Sequence, residues 1–291
     1  MVRRGALGQR FTLFDFFLTV VLSLVAIVTV YPVVYIVAVS FSETSYIVQN
    51  KVFLWPRGFN FDAYKEILES PRIPRAYLNT ILYTAVGTFI NLLMTAIAAY
   101  PLSRHGFVGK KFFMVAIVLT MFLNGGIIPT FLIVQKLNLI DSIWAIVLPN
   151  AIWTVELLII KSFYEAMSPS LRESAVMDGA SEYRVLFSIV IPLSKPALAS
   201  IGLFYFMGHW NSFFIPMIYL NDAKLYPLQV VLRDMLFFDT NKQSGLIEQA
   251  LLAPQALKNA TIFISMVPVL LIYPFAQKYF AKGIMLGSEK G

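Results

Sequence analysis

Few side chains in this sequence are equipped for covalent chemistry. There are two histidines, His105 and His209, and no cysteine. A disulfide framework, a thiolate metal site and a cysteine nucleophile are therefore excluded. A membrane enzyme would need a cluster of catalytic or metal-binding groups, and two isolated histidines do not make one. No Walker A pattern, G-x-x-x-x-G-K-[ST], occurs. Gly106-Phe107-Val108-Gly109-Lys110-Lys111 comes nearest, but it is too short and lacks the hydroxyl residue. The chain has no loop of that kind to cradle ATP phosphates, binds no metal or cofactor by any visible motif, and reads as a non-enzyme.

Glu156 interrupts the apolar run Ser142–Ile160. An acid in such a run is a functional-site hypothesis by default, with proton or ion coupling as its sharp form. No second carboxylate lies in the apolar runs to build a relay. The expected setting is a bond to a neighbouring helix or a watery cavity. His209 is also alone in its run, and a packed, hydrogen-bonded histidine is expected there.

The most patterned polar stretch is Met167–Pro196. Ser168-Pro169 marks a helix start, since Ser can cap and Pro suits the first helical position. Ser170 and Glu173 have capping-box spacing. The pattern predicts a helix over Pro169–Met177, ended by Gly179 in a left-handed conformation. It predicts a second helix over Ser181–Val190, closed by Pro192 and Pro196.

These residues need a scaffold, and composition says which kind. The chain has 291 residues, 58% of them hydrophobic and 13% charged. Its mean hydropathy is +0.72. Soluble domains are nearer half apolar and a quarter charged, so lipid is the expected solvent. Runs long enough to cross a bilayer occur at Phe16–Phe41, Tyr77–Ser103, Phe112–Gln135, Ser142–Ile160, Pro196–Asn221 and Asn259–Gln277. The fold class expected is all-α, a polytopic membrane protein with about six transmembrane helices. We read one transmembrane domain over 1–291, with a first helix over 14–41, core helices over 76–282 and a helical loop over 165–195. Within the third run, Asn124-Gly125-Gly126 and Pro129 permit close helix approach or a broken helix, and helix packing is the expectation.

The net charge is +7, but the basic residues fall in short clusters between apolar runs, so nucleic acid is not the expected partner. The short loop Arg104–Lys111 is purely basic, with Arg104, Lys110 and Lys111, and should face the cytoplasm. Six spans then place both termini inside, and the 165–195 loop inside with them. No internal repeat of the kind found in secondary transporters is evident.

On these residues a resemblance becomes specific. Glu173-Ser174-Ala175, Asp178-Gly179-Ala180 and Ile191-Pro192-Leu193 resemble the EAA loop of ABC importer permeases, with Ser174 in place of an Ala and Ile191 in place of a Leu. Asn124–Thr130, Trp210-Asn211-Ser212-Phe213-Phe214 and Leu225-Tyr226-Pro227-Leu228-Gln229 are similar to permeases of carbohydrate importers, in particular the smaller of two paired permeases for maltose-like and other oligosaccharides. The resemblance implies the MetI-like fold of type I ABC importer permeases and residence in the bacterial plasma (inner) membrane. It implies a second homologous permease, an ATPase subunit dimer that holds ATP and Mg, and an extracellular or periplasmic sugar-binding protein. The loop residues Glu173, Ser174, Ala175, Asp178, Gly179, Ala180 and Pro192 would couple to the ATPase, with Glu173 meeting a basic residue there.

Candidate substrate-pathway residues are Tyr205, Trp210, Asn211, Asn124 and Glu156. Aromatic faces suit the C–H faces of sugars, although aromatics in a span mostly pack or anchor. The alternatives are an ABC permease for another solute and an ion-coupled secondary transporter using Glu156. The long outer loop Asp222–Lys258 corresponds in relatives to a contact with the sugar-binding protein. Deleting part of Phe238–Gln249 should weaken ATPase stimulation across a binding-protein titration.

Overall fold

The computed structural model describes residues 12–123, 125–237 and 255–283. Asn124 and the segment Phe238–Gln249 lie outside them. Among the described residues every regular element is helical. Lipid requires this, because each backbone N–H and C=O must be satisfied within the protein. The chain divides into two compact units, residues 1–69 with 238–264, and residues 70–237 with 265–291.

In the first unit, α1 (Leu13–Ser40) spans 28 residues, about 42 Å at helical rise. It starts on a capping box. The Thr12 hydroxyl accepts the Asp15 N–H at 3.2 Å, and the Asp15 carboxylate accepts the Thr12 N–H at 2.9 Å. Its large side chains from Leu13 to Tyr31 are mostly exposed, as lipid-facing side chains are. Two short helices follow, α2 (Thr44–Val48) and α3 (Asp62–Glu69). The intervening loop is tied back on α1. Ser42 Oγ accepts the Arg57 N–H at 2.9 Å, and the Ser40 and Tyr64 hydroxyls pair at 2.8 Å. The Phe41 ring stacks on Tyr64, with centroids 4.7 Å apart.

The second unit is built on α4 (Arg72–Ser103), the longest described helix at 32 residues. Then come α5 (Lys110–Phe122), α6 (Ile127–Lys136), α7 (Ile143–Val147) and α8 (Thr154–Glu165). Three short helices, α9 (Pro169–Met177), α10 (Glu182–Val185) and α11 (Ile191–Leu193), lead into α12 (Lys195–Trp210). Beyond it lie α13 (Phe214–Tyr219) and α14 (Leu228–Phe237). The last helix, α15 (Gln255–Gly283), begins in the first unit and ends in the second. By length and composition α1, α4 and the part of α15 up to Pro274 can each cross a bilayer. Among the described residues the total is up to six if each of three bent pairs counts as one span: α5 with α6, α7 with α8, and the α10–α11 segment with α12.

The six apolar runs are therefore present, but three are interrupted, and each interruption has a local cause. The third run is not the packed helix expected from its glycines. It breaks before Gly126, whose φ is +85°, and among the described residues no atom beyond the chain neighbours lies within 4 Å of a Cβ built on Gly125 or Gly126. The break, not close packing, is what these glycines provide. The fourth run breaks after Asn150, where Pro149 cannot continue the N–H ladder. The expected run Pro196–Asn221 ends as a helix at Trp210 and resumes at Phe214. Pro216 would clash with the Ser212 carbonyl in a continuous helix.

The break after Asn150 leaves a carbonyl without a helical partner. The Asn91 side chain donates to it at 2.5 Å, and His209 Nε2 pairs with Asn91 Oδ1 at 2.6 Å. His209 is thus buried and bonded, as expected. Past α13, the chain is laced to the start of α4. Tyr83 donates its hydroxyl hydrogen to the Leu225 carbonyl at 2.9 Å, and the Thr80 hydroxyl accepts the Leu228 N–H at 2.7 Å. Arg72 pairs with Asp234 at 2.7 Å. The Leu225–Gln229 segment is fixed by these bonds.

The break also brings Trp153 against α12. A Cβ added at Gly208 would lie 2.1 Å from the Trp153 ring. That ring is itself held edge-on to Tyr205, centroids 4.9 Å apart. Gly208→Ala should therefore cost about 1–3 kcal/mol through overpacking. A lowered midpoint in detergent-solubilised unfolding would show it, and an unchanged midpoint would contradict the close approach.

Candidate functional site

The 165–195 segment folds as its sequence punctuation dictates, with two exceptions. α9 covers Pro169–Met177, the residues expected. Ser168 stands at the N-cap, yet its hydroxyl pairs with that of Ser170 at 2.7 Å and bonds no helix N–H. The capping box expected from Ser170 and Glu173 is absent, because Ser170 lies inside the helix, past the cap. Proline at the first position sets the start instead. The helix ends in a Schellman motif. The Gly179 N–H donates to the Val176 carbonyl at 3.0 Å, and the Ala180 N–H to the Ala175 carbonyl at 2.9 Å. Gly179 has φ +79° with open space around it, so the backbone angle, not room, demands glycine.

The second exception is Pro192. It was expected to close the second helix after Val190. The chain instead passes through α10, a π-turn at Leu186–Val190 and α11, ending at Leu193. The wide turn accommodates the N–H that proline lacks.

The two arms of this segment differ in burial. None of the α9 residues is buried. Glu173, Ser174, Asp178 and Gly179 are exposed, while Ala175 and Ala180 are half-buried. Glu173 makes no hydrogen bond or ion pair among the described residues. By contrast, Val185, Leu186 and Val190 share a core with Ala99 and Tyr100 of α4, Leu157 and Ile160 of α8, and Ile201 and Tyr205 of α12.

A polar cluster absent from the sequence reading lies between the arms. Glu182 Oε1 accepts from Arg172 Nε at 3.0 Å, and the second Arg172 nitrogen also pairs with it. Glu182 Oε2 accepts the Tyr100 hydroxyl hydrogen at 2.5 Å, and an Arg104 nitrogen lies 3.8 Å away. The Arg172 guanidinium, with help from the Tyr100 hydroxyl, holds the Glu182 carboxyl below its ordinary value against partial burial. With its side chain 49% exposed, the carboxyl adds little to folding; what it adds is present at pH above its ordinary value and is lost as pH falls through the lowered one. The only hint in the sequence was an Arg and a Glu on opposite sides of the Gly179 turn. A cavity of about 710 Å³ opens beside the cluster, lined by Tyr100, Arg104, Tyr164, Arg172 and Glu173 among others.

The pathway candidates do not gather in one place. Tyr205 is fully buried, its hydroxyl 2.7 Å from Thr95 Oγ1. Trp210 is buried and donates to the Ser265 carbonyl at 3.0 Å. Asn211 is exposed at the end of α12, donating to the Met207 carbonyl at 2.9 Å. Glu156 is half-buried in the first turn of α8, where the helix dipole favours a negative charge. Asn124 lies outside the described residues.

No family model matches the chain. Individual relatives do. The polygalacturonan/rhamnogalacturonan transport system permease protein YtcP of Bacillus subtilis (strain 168) is 40% identical over 282 residues, covering 96% of this chain and 99% of that one. Protein LplC of the same organism is 40% identical over 269 residues, covering 92% and 91%. Among solved structures, a chain from a bacterial ABC transporter involved in the import of the acidic polysaccharide alginate matches with a TM-score of 0.87 and 33% identity. That match covers 95% of this chain and 100% of the other.

Gly179→Val would force a branched residue into the left-handed region, costing about 1–2 kcal/mol. Amide exchange over residues 176–182 should rise roughly tenfold, with global unfolding little changed. Unaltered exchange would show that the turn does not need its glycine.

Proposed function

The chain belongs to the permease subunits of ABC carbohydrate importers, and on that premise we propose that it is driven through α9 by a separate ATPase. The carrying observation is the contrast between the two arms of the 165–195 segment. α9 presents an exposed Glu173 with no bonded partner among the described residues, while the next arm seats Val185, Leu186 and Val190 in the core with α4, α8 and α12. A helix with no fully buried residue in this chain leaves most of its surface to be covered by a partner.

In this reading the segment and both termini face the cytoplasm. The ATPase subunits hold ATP and Mg and receive α9 in a cleft, with a basic side chain on Glu173. A second, homologous permease completes the membrane part, and an external binding protein delivers the sugar. Closure of the ATPase dimer on ATP displaces α9, and the buried arm passes the motion to the spans. The pathway then changes from inward to outward access, a population shift between two arrangements. Hydrolysis resets it. The substrate is an oligosaccharide fragment of a larger polysaccharide, a reading supported by the polysaccharide names of two close relatives. Asn211 and Glu156, the more accessible of the described candidates, are the first residues to test for contact with it.

A charge-assisted bond between Glu173 and the partner is worth about 1.5–3 kcal/mol, or roughly 10–100-fold in docking. Glu173→Ala removes it and, with no cap bond to lose, should leave the folded chain within about 0.5 kcal/mol of wild type. In proteoliposomes the mutant complex should lose most uptake and most binding-protein stimulation of ATPase. Wild-type uptake with wild-type stimulation would overturn the proposal.

A further inference from the structure

We propose that Glu182 is the positioning residue that makes α9 and the end of α4 move as one piece. The inference rests on the reading that α9 receives the ATPase, and it adds a route inward from that helix.

The route needs explaining because α9 has little apolar hold on the rest of the chain. Its Ala175, with Ala180 just beyond it, packs against the core through side chains of a single carbon. The stronger connection is polar. Arg172 directly precedes Glu173, and it forms the only ion pair of α9 among the described residues. Its partner is Glu182 of α10. The same carboxylate takes the Tyr100 hydroxyl hydrogen at 2.5 Å, and Tyr100 belongs to the last turn of α4. Arg104, at the C-cap of α4, lies over the Tyr100 ring at 4.2 Å and within 3.8 Å of Glu182. One carboxylate thus joins three elements: the exposed helix α9, the short helix α10 after the turn, which is anchored by the buried Val185, and the longest described helix.

Geometry distinguishes this from a stability role. Exposed ion pairs contribute little to folding, and the Glu182 side chain is 49% exposed. What the cluster fixes is direction. The Arg172 fork is planar and bidentate, so it resists rotation of α9 about its own axis as well as separation from α10. A push on Glu173 moves the neighbouring Arg172 backbone and, through Glu182, the end of α4. Without the carboxylate, α9 can swing about the Gly179 turn and leave the spans where they are.

The test uses the whole complex in proteoliposomes and reads sugar imported per ATP hydrolysed. Glu182→Gln keeps the size and loses the charge. It should lower that ratio at least fivefold while the ATPase still co-purifies and still hydrolyses. Arg172→Gln should do the same, and Arg172→Lys, which keeps the charge, should retain at least half of the wild-type ratio.

The chain has no cysteine, so spin labels at Val176→Cys on α9 and Met94→Cys on α4 report one distance. That distance should hold steady through the ATP cycle in the wild type and change with ATP in Glu182→Gln. A wild-type transport ratio in Glu182→Gln, or an unchanged label distance, overturns the proposal. So does a lost ratio explained by equal losses of unfolding temperature and assembly. If Glu173→Ala uncouples and the Glu182 variants do not, this inference alone fails. If Glu173→Ala does not uncouple, the docking reading fails with it.

Discussion

A bilayer core offers no water to an unpaired N–H or C=O, so every helix end inside it must find its partner within the protein. The architecture of this chain follows from that constraint. Its long helices satisfy themselves. Its interrupted runs stop at Gly, Pro or Asn, where the backbone ladder fails locally. At the best-defined break, the Asn150 carbonyl is met by Asn91, which is held by His209. Such a site costs buried polar groups, and it is tolerable only because each has a bonded neighbour. The same break turns Trp153 into α12 and leaves room there for nothing larger than glycine.

Where the chain leaves the apolar runs, at the 165–195 segment, the constraint relaxes and a different economy applies. Backbone turns are set by Pro169 and Gly179, apolar side chains of the second arm enter the core, and charged side chains join the arms. This combination suits a subunit that is moved by another protein. In the proposed mechanism the exposed helix α9 accepts the contact, the Gly179 turn defines the pivot, and the arm anchored by Val185, Leu186 and Val190 carries the displacement inward. Membership among ABC carbohydrate permeases is what the proposal of a separate ATPase motor rests on.

Much of this was legible in the sequence because the signals are local. Pro169, Met177 and Gly179 fixed a helix and its end within a dozen residues, and the apolar runs located the three helices long enough to cross a bilayer and the bent pairs between them. The failures were long-range or competitive. Glu182 meets Tyr100 across 82 positions, a distance over which no spacing rule speaks. Gly125 and Gly126 fit either close packing or a break, and only the surrounding atoms decide. Tyr205 and Trp210 were visible as aromatics, but which way each ring faces depends on Thr95 and Ser265, far away in the chain. The Ser170–Glu173 spacing matched a capping box, yet the helix begins two residues too early for it, with Ser168 at the N-cap.

The central claim is that force enters this subunit at α9. A photo-reactive group on Val176→Cys, an exposed α9 position that leaves Glu173 in place, tests it most directly, since the chain carries no other cysteine. In the assembled complex that group should form a covalent adduct with the ATPase subunit, in a yield that changes between nucleotide-free and ATP-bound states. If position 176 captures no ATPase while an equivalent group at Val48 or another residue outside the 165–195 segment does, the account is wrong.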